Sequence, residues 1–144
     1  MSVAGTDDAH LPPPLSDLVG RVAHRLTSER ERALAASGLN IDQWRVLSLL
    51  ADGAGHPMSE IAEYAMVPAP TLTKIVDRLA DSALVYRLPD RIDRRRVLVL
   101  LSELGRTVHD EHTPEVTAAE SRVTDNLDAA ERAQLRHLLA RLSD

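Results

Sequence analysis

The sequence predicts a mainly α chain with one small β-hairpin, and three observations carry that prediction. Apolar residues recur at helical spacing in several separate stretches. Two short apolar runs, Leu84-Val85-Tyr86 and Val97-Leu98-Val99-Leu100, bracket a segment with five arginines, Arg87 and Arg91 with Arg94 to Arg96. Just upstream, a helix with a polar outer face follows a short helix across a tight turn. Together these describe a winged helix-turn-helix whose N- and C-terminal helices form a dimerisation region.

Each element has its own signal. Leu15, Leu18, Val19, Val22 and Leu26 follow helical spacing, so a first amphipathic helix is expected over Leu15 to Ala36, ended by Ser37-Gly38. A second helix is expected from Ile41 to Ala51, stopped by Asp52-Gly53-Ala54-Gly55. Ser59 is the expected cap of a short third helix ending near Ala65. Met66-Val67-Pro68-Ala69 makes the turn, and the fourth helix starts at Ala69 or Pro70, since proline suits a first turn.

That fourth helix has the clearest periodicity. Leu72, Ile75, Val76, Leu79 and Ala83 form one buried stripe, and Pro70, Lys74, Asp77, Arg78 and Asp81, flanked by Thr71 and Thr73, form the outer face. Asp77 is expected to pair with Lys74 or Arg78, because a carboxylate facing phosphate is repelled. Strands are expected at Leu84–Arg87 and Arg95–Leu100. Ser102 caps a long fifth helix that Pro114 should kink or split, with Thr113 restarting it. Asp128 and Glu131 resemble a capping box opening the last helix, whose stripe is Leu135, Leu138, Leu139 and Leu142. The expected organisation is a mobile N-terminal arm over 1–14, a dimerisation helix over 15–36, the winged reader over 37–101 and C-terminal dimerisation helices over 102–144.

Composition narrows the function classes. The chain has 144 residues, 44% of them hydrophobic, enough for a core. It has no apolar run of about 18 residues and no basic-then-apolar N-terminus, so neither a membrane span nor a signal peptide is read, and a cytoplasmic protein is expected. Without cysteine, disulfides and thiol redox sensing are excluded. The net charge of −5 at first argues against a nucleic-acid partner. Distribution matters more than the sum: from Thr71 to Arg106 eight cations face five anions, so a basic reader sits on an acidic scaffold. No nucleophile elbow, Gly-rich phosphate loop or metal triad is visible, so neither an enzyme nor a cofactor is expected.

Four motifs, in order and at the right spacings, resemble the multiple antibiotic resistance regulator (MarR) family from about Leu15 to Leu142. Leu39-Asn40-Ile41-Asp42-Gln43-Trp44-Arg45-Val46-Leu47 is similar to L-T-x-x-Q-W-x-V-L. Pro70-Thr71-Leu72-Thr73-Lys74-Ile75-Val76-Asp77-Arg78-Leu79 is similar to S-x-x-T-R-x-V-D-R-L. Asp90-Arg91-Ile92-Asp93-Arg94-Arg95 resembles the wing's D-x-x-D-x-R, and Leu100 to Gly105 resembles L-T-x-x-G. The chain departs from the pattern in four places. Ala83-Leu84 replaces the usual Gly-Leu entry, which reads as a small change, and Ser102 replaces threonine. Leu104 occupies an often charged position, and Pro68 and Pro70 flank Ala69 where serine is frequent.

The resemblance implies a homodimeric, DNA-binding transcriptional regulator, usually a repressor released from a pseudo-palindromic operator by a small ligand, often an aromatic acid. Thr71, Thr73, Lys74 and Arg78 would enter the major groove of double-stranded DNA. Asp93 and Arg95 match the wing pair in which the aspartate orients an arginine toward the minor groove, and Arg91 and Arg94 join them. Arg25, with His24 beside it, is a candidate for an effector carboxylate in a pocket between the dimerisation and DNA-binding regions; Trp44 either lines such a pocket or packs in the core. Two other functions fit the same residues: an interaction module that no longer binds DNA, and a metal-responsive regulator using His109 and His112.

Overall fold

In the computed structural model, which describes residues 11–144, six helices and a small sheet build the chain. Helix α1 (Leu15–Leu34) continues into one 3-10 turn (Ala35–Ser37) and ends at Gly38, whose φ of 74° only glycine adopts freely. Helix α2 (Ile41–Leu50) starts at a full capping box: Asn40 accepts from the Gln43 N–H, and the Gln43 side chain accepts from the Asn40 N–H. Strand β1 (His56–Pro57), α3 (Met58–Ala65), α4 (Ala69–Asp81), β2 (Val85–Pro89), β3 (Val97–Leu101), α5 (Glu103–Val123) and α6 (Ala129–Ser143) follow. The expected arm lies, for its first ten residues, outside the described residues.

Two cores hold these elements. The larger gathers Val46, Leu47 and Leu50 of α2, Ile61 and Ala65 of α3, and Leu72, Ile75, Val76 and Leu79 of α4, closed by Leu84, Val85 and Val99 of the sheet. The periodicity of α4 therefore does what it predicts, with Leu72, Val76 and Leu79 almost fully removed from water. The smaller core, Leu34, Trp44 and Val116, joins α1, α2 and α5.

Several expectations are corrected. The hairpin is part of a three-stranded antiparallel sheet in the order β1-β3-β2, with His56 opposite Val99 and Pro57 opposite Leu98. A two-residue strand containing proline has no alternation to read, so only its partner reveals it. Helix α3 begins one residue before Ser59, at Met58, with Pro57 in the cap position and no side-chain cap. Pro114 does not split α5: the helix runs unbroken for 21 residues. Pro114 has no N–H for the Asp110 carbonyl, and Thr113 does not restart a helix but donates its hydroxyl back to the His109 carbonyl at 2.6 Å. Val116, Ala119 and Val123, buried on the α1 side of α5, hold the helix together beyond the proline.

Ala83 is not the last residue of the α4 stripe. It is exposed, past the helix end, with φ 58°. The alanine at the wing entry is therefore not a small change, because a left-handed alanine costs about 1–2 kcal/mol relative to a relaxed backbone. The position is held open by Ser102, whose hydroxyl donates to the Ala83 carbonyl at 2.6 Å while accepting the Gly105 N–H at 2.9 Å as the cap of α5. Gly105 lets α5 pass this close, since a Cβ there would lie 2.1 Å from the Leu84 carbonyl oxygen and 2.7 Å from Leu101 Cδ1.

On the other side of the sheet, the His56 ring bridges two carboxylates, with Nε2 2.7 Å from Asp52 and Nδ1 3.0 Å from Glu60. Both ring nitrogens must carry protons to donate to both, so Glu60 first and Asp52 second hold His56 above its ordinary value of 6.5. The Ala54 N–H, and then His56, hold Asp52 below its ordinary 3.8.

Two outcomes follow from this packing. Gly105→Ala should lose about 1–3 kcal/mol in chemical denaturation, because the obstruction is backbone and cannot rotate away. The His56 contribution to stability is fully present below pH 6.5 and is lost as pH rises through the raised folded value, while that of Asp52 is present above 3.8 and lost as pH falls. Denaturation midpoints should therefore decline across neutral pH in the wild type and decline less in His56→Gln.

Candidate nucleic-acid interface

Helix α4 and the wing expose their cations. Thr71, Thr73, Lys74, Asp77 and Arg78 are all exposed, as their place opposite the buried stripe requires. The helix starts at Pro68 without a side-chain cap, and Pro70 stands in its first turn. The Thr73 hydroxyl donates to the Ala69 carbonyl at 3.1 Å, which ties down its proton and leaves its methyl and lone pairs for other contacts.

The partner of Asp77 is not on its own helix. Its carboxylate accepts from the Arg87 guanidinium of β2 at 2.5 Å, tying α4 to the root of the wing. Ten residues separate the two, so no helical spacing announces the pair.

The wing turn is built by its aspartates. Asp90 Oδ1 accepts the Ile92 N–H at 3.0 Å, and its other oxygen lies 3.5 Å from the Arg96 guanidinium. Asp93 Oδ1 accepts the backbone N–H of Arg95 at 3.1 Å, so Asp93 shapes the chain rather than gripping the Arg95 guanidinium. Backbone bonds from Asp90 N–H to the Arg96 carbonyl and from Arg96 N–H to the Asp93 carbonyl, both 2.9 Å, close the loop. Among the described residues the ion pairs on this surface are Asp77–Arg87 and Asp90–Arg96. Lys74, Arg78, Arg91, Arg94 and Arg95 are thus exposed charges without a carboxylate partner there.

The two effector candidates are not brought together. Arg25 lines a cavity of about 280 Å³ with His24, Ser28, Glu29, Arg32, Arg122 and Val123. That cavity lies between α1 and the end of α5, within the terminal helices rather than between them and the reader. Trp44 is 3% exposed, in the smaller core, with its ring stacked on His109 at 4.7 Å between centroids. His109 Nε2 sits 3.4 Å from the Ser48 hydroxyl. Among the described residues no three His, Cys, Asp or Glu side chains gather as a metal site, and the ring of His109 faces Trp44.

Residue-by-residue reading passed over Arg30. Its Nε is buried without a hydrogen-bond partner among the described residues. Burial first, and then the charge of Arg45, lower its pKa, against the opposing charge of Glu120. The signal was present: Arg30 stands four residues after Leu26 and continues the apolar stripe of α1.

Fold and surface together define a winged helix-turn-helix chain with a cationic reading edge. A MarR family model matches residues 37–96. The transcriptional regulator FarR of Neisseria gonorrhoeae is 31% identical over 110 residues, 76% of this chain and 75% of that protein. The repressor IacR of Pseudomonas putida is 36% identical over 87 residues, and the match spans 60% of this chain and about half, 52%, of IacR. Among solved structures, a MarR variant from E. coli complexed with operator DNA superposes with a TM-score of 0.79 at 28% identity, covering 90% of this chain and 93% of that one. CouR from Rhodococcus jostii RHA1 bound to p-coumaroyl-CoA reaches 0.83 at 26% identity, covering 99% and 96%. This chain belongs to the MarR family of transcriptional regulators.

The stacked Trp44 is the only tryptophan and gives a direct check on the smaller core. Its emission should be blue-shifted and poorly quenched by acrylamide in the native protein, and Val116→Ala should shift it toward the emission of exposed indole.

Proposed function

We propose that this protein is a homodimeric repressor that binds a pseudo-palindromic operator and leaves it on binding a small organic acid. The observation that carries this is the reading edge itself: five unneutralised cations on α4 and the wing, in a chain whose total is −5. In this reading α4 lies in the major groove, where Lys74 and Arg78 meet guanine or phosphate and the threonines meet thymine methyls. The wing brings Arg91, Arg94 and Arg95 to the minor groove, whose negative potential draws arginine. A solved neighbour complexed with operator DNA supports duplex DNA as the partner.

Two-fold operators need two recognition helices about 34–36 Å apart, which a dimer supplies. The stripes left exposed on α1, with Leu15, Leu18, Val19 and Val22, and on α6, with Leu138, Leu139 and Leu142, are the surfaces a second copy would bury. As a regulator of DNA it works in the cytoplasm and catalyses no reaction.

The effector reading rests on cations near α1. CouR is seen with an aromatic acyl thioester of coenzyme A, a bulky anion. Here Arg25 opens onto the α1–α5 cavity, while Arg30 is half-buried, with its Nε lacking a hydrogen-bond partner among the described residues and its charge opposed by that of Arg45. A carboxylate or phosphate arriving beside these groups replaces the water that burial has removed.

The test is titration of the DNA upstream of the protein's own gene at two salt concentrations, with wild type, Lys74→Ala and Arg95→Ala. Wild type should bind that duplex over unrelated DNA, with affinity falling steeply as salt rises. Each variant should weaken binding and lower the slope of log K against log salt by about 2, one contact per protomer. Absence of any preference in the wild type would overturn the proposal in favour of an interaction module.

A further inference from the structure

Ile92 is 96% exposed at the apex of the wing, between Arg91 and Asp93. The fold gains nothing from it, since it touches neither core. A solitary exposed isoleucine in a floppy loop would mean little. This loop is braced from within: Ile92 N–H on the Asp90 carboxylate, Arg95 N–H on the Asp93 carboxylate, two backbone bonds across the turn, and the Arg96–Asp90 pair. The bracing presents the isoleucine outward in a set position, with the exposed arginines 91, 94 and 95 around it.

The apex therefore has an apolar centre and a cationic rim. The minor groove satisfies both. Its phosphates take the rim, and its walls are deoxyribose C–H groups that accept an aliphatic side chain. Apolar wedges of this kind work by partly unstacking a base step, which flexible pyrimidine–purine steps allow at the least deformation energy.

We propose that Ile92 is an affinity- and specificity-determining residue, seated against the minor-groove walls between the wing arginines and favouring a flexible step beneath it. This rests on the operator-binding reading above. It extends that reading, because an aliphatic contact selects sequence through deformability, which the arginines do not do through charge alone.

The experiment uses the full chain and a duplex that the wild type selects from a random pool. Ile92→Ala should bind it about tenfold more weakly, about 1.4 kcal/mol, with the slope of log K against log salt unchanged and the melting temperature intact. Ile92→Leu should restore most of the affinity. Replacing the pyrimidine–purine step under the wing with an A-tract should cost the wild type more than it costs Ile92→Ala. Arg95→Ala is the control, and it should change the slope. Ile92→Ala binding like wild type while Arg95→Ala is weakened would overturn the isoleucine contact and leave the operator reading standing. So would a slope altered by Ile92→Ala, since the residue would then act only by placing the arginines. No duplex selected by the wild type would overturn the operator reading and this inference together.

Discussion

At the joint between wing and long helix, three backbone segments meet around one carbonyl. The Leu84 oxygen accepts the Ser102 N–H at 3.0 Å and faces Gly105 so closely that no side chain fits between. The Ser102 hydroxyl ties the Ala83 carbonyl to the first turn of α5. Recognition helix, wing and α5 all begin or end within four residues of this point. Arg106, one residue further on, donates to the Ala51 carbonyl at 3.1 Å and fastens the end of α2 as well. The strained φ of Ala83 persists because these contacts over-determine it. These contacts tie the start of α5 to the end of α4 and to the wing.

How much of this was legible in the sequence depends on whether the signal was local. Ala83 lies past the helix end, but the stripe of α4 from Leu72 to Leu79 and the capping hydroxyl of Ser102 depend on residues three or four apart, and both stand as the spacing predicts. So does the capping box of Asp128 and Glu131. Strand β1 exists only through its pairing with β3, His56 with Val99 and Pro57 with Leu98, and two residues carry no period of their own. Pro114 was expected to kink or split α5 because it removes a helical N–H; the helix is not split, and packing on α1 offsets a cost of about 3 kcal/mol. The partner of Asp77 lay across the wing, and the ring that Trp44 stacks on lay on another helix, so neither had a sequence neighbour to betray it. Of the candidate site, the exposure of the cations on α4 and the wing was readable from their spacing, and which carboxylates they would pair with was not.

That freedom explains how an acidic chain can present a basic edge. The carboxylates of the wing are spent on shape: Asp90 and Asp93 accept backbone N–H groups of the turn, and Asp77 anchors the root. An exposed ion pair adds at most about 1 kcal/mol of stability, so these contacts matter for where they put the chain rather than for how firmly they hold it. The guanidiniums left over are planar and weakly hydrated, which suits the phosphate contacts proposed for them.

Release by an effector then becomes a question of magnitudes. A ligand shifts an equilibrium only by the difference in its affinity for two conformations. A coupling of about 1–3 kcal/mol changes operator affinity by roughly 5- to 150-fold. One hydrogen bond to a charged group is worth about 1.5–3 kcal/mol, so a single carboxylate contact made in one arrangement of α1 and absent in the other is enough. Among the described residues Arg30 Nε is buried without a hydrogen-bond partner and its charge opposes that of Arg45, so the proposed anion would meet an unsatisfied donor there. Leu34 and Trp44 share one core with Val116 of α5, so a shift of α1 pushes on α5, and through the joint at Leu84 on the wing. An anion proposed to bind on α1 would thus reach the wing through packed side chains and the length of α5, where Pro114 leaves the Asp110 carbonyl without its helical N–H.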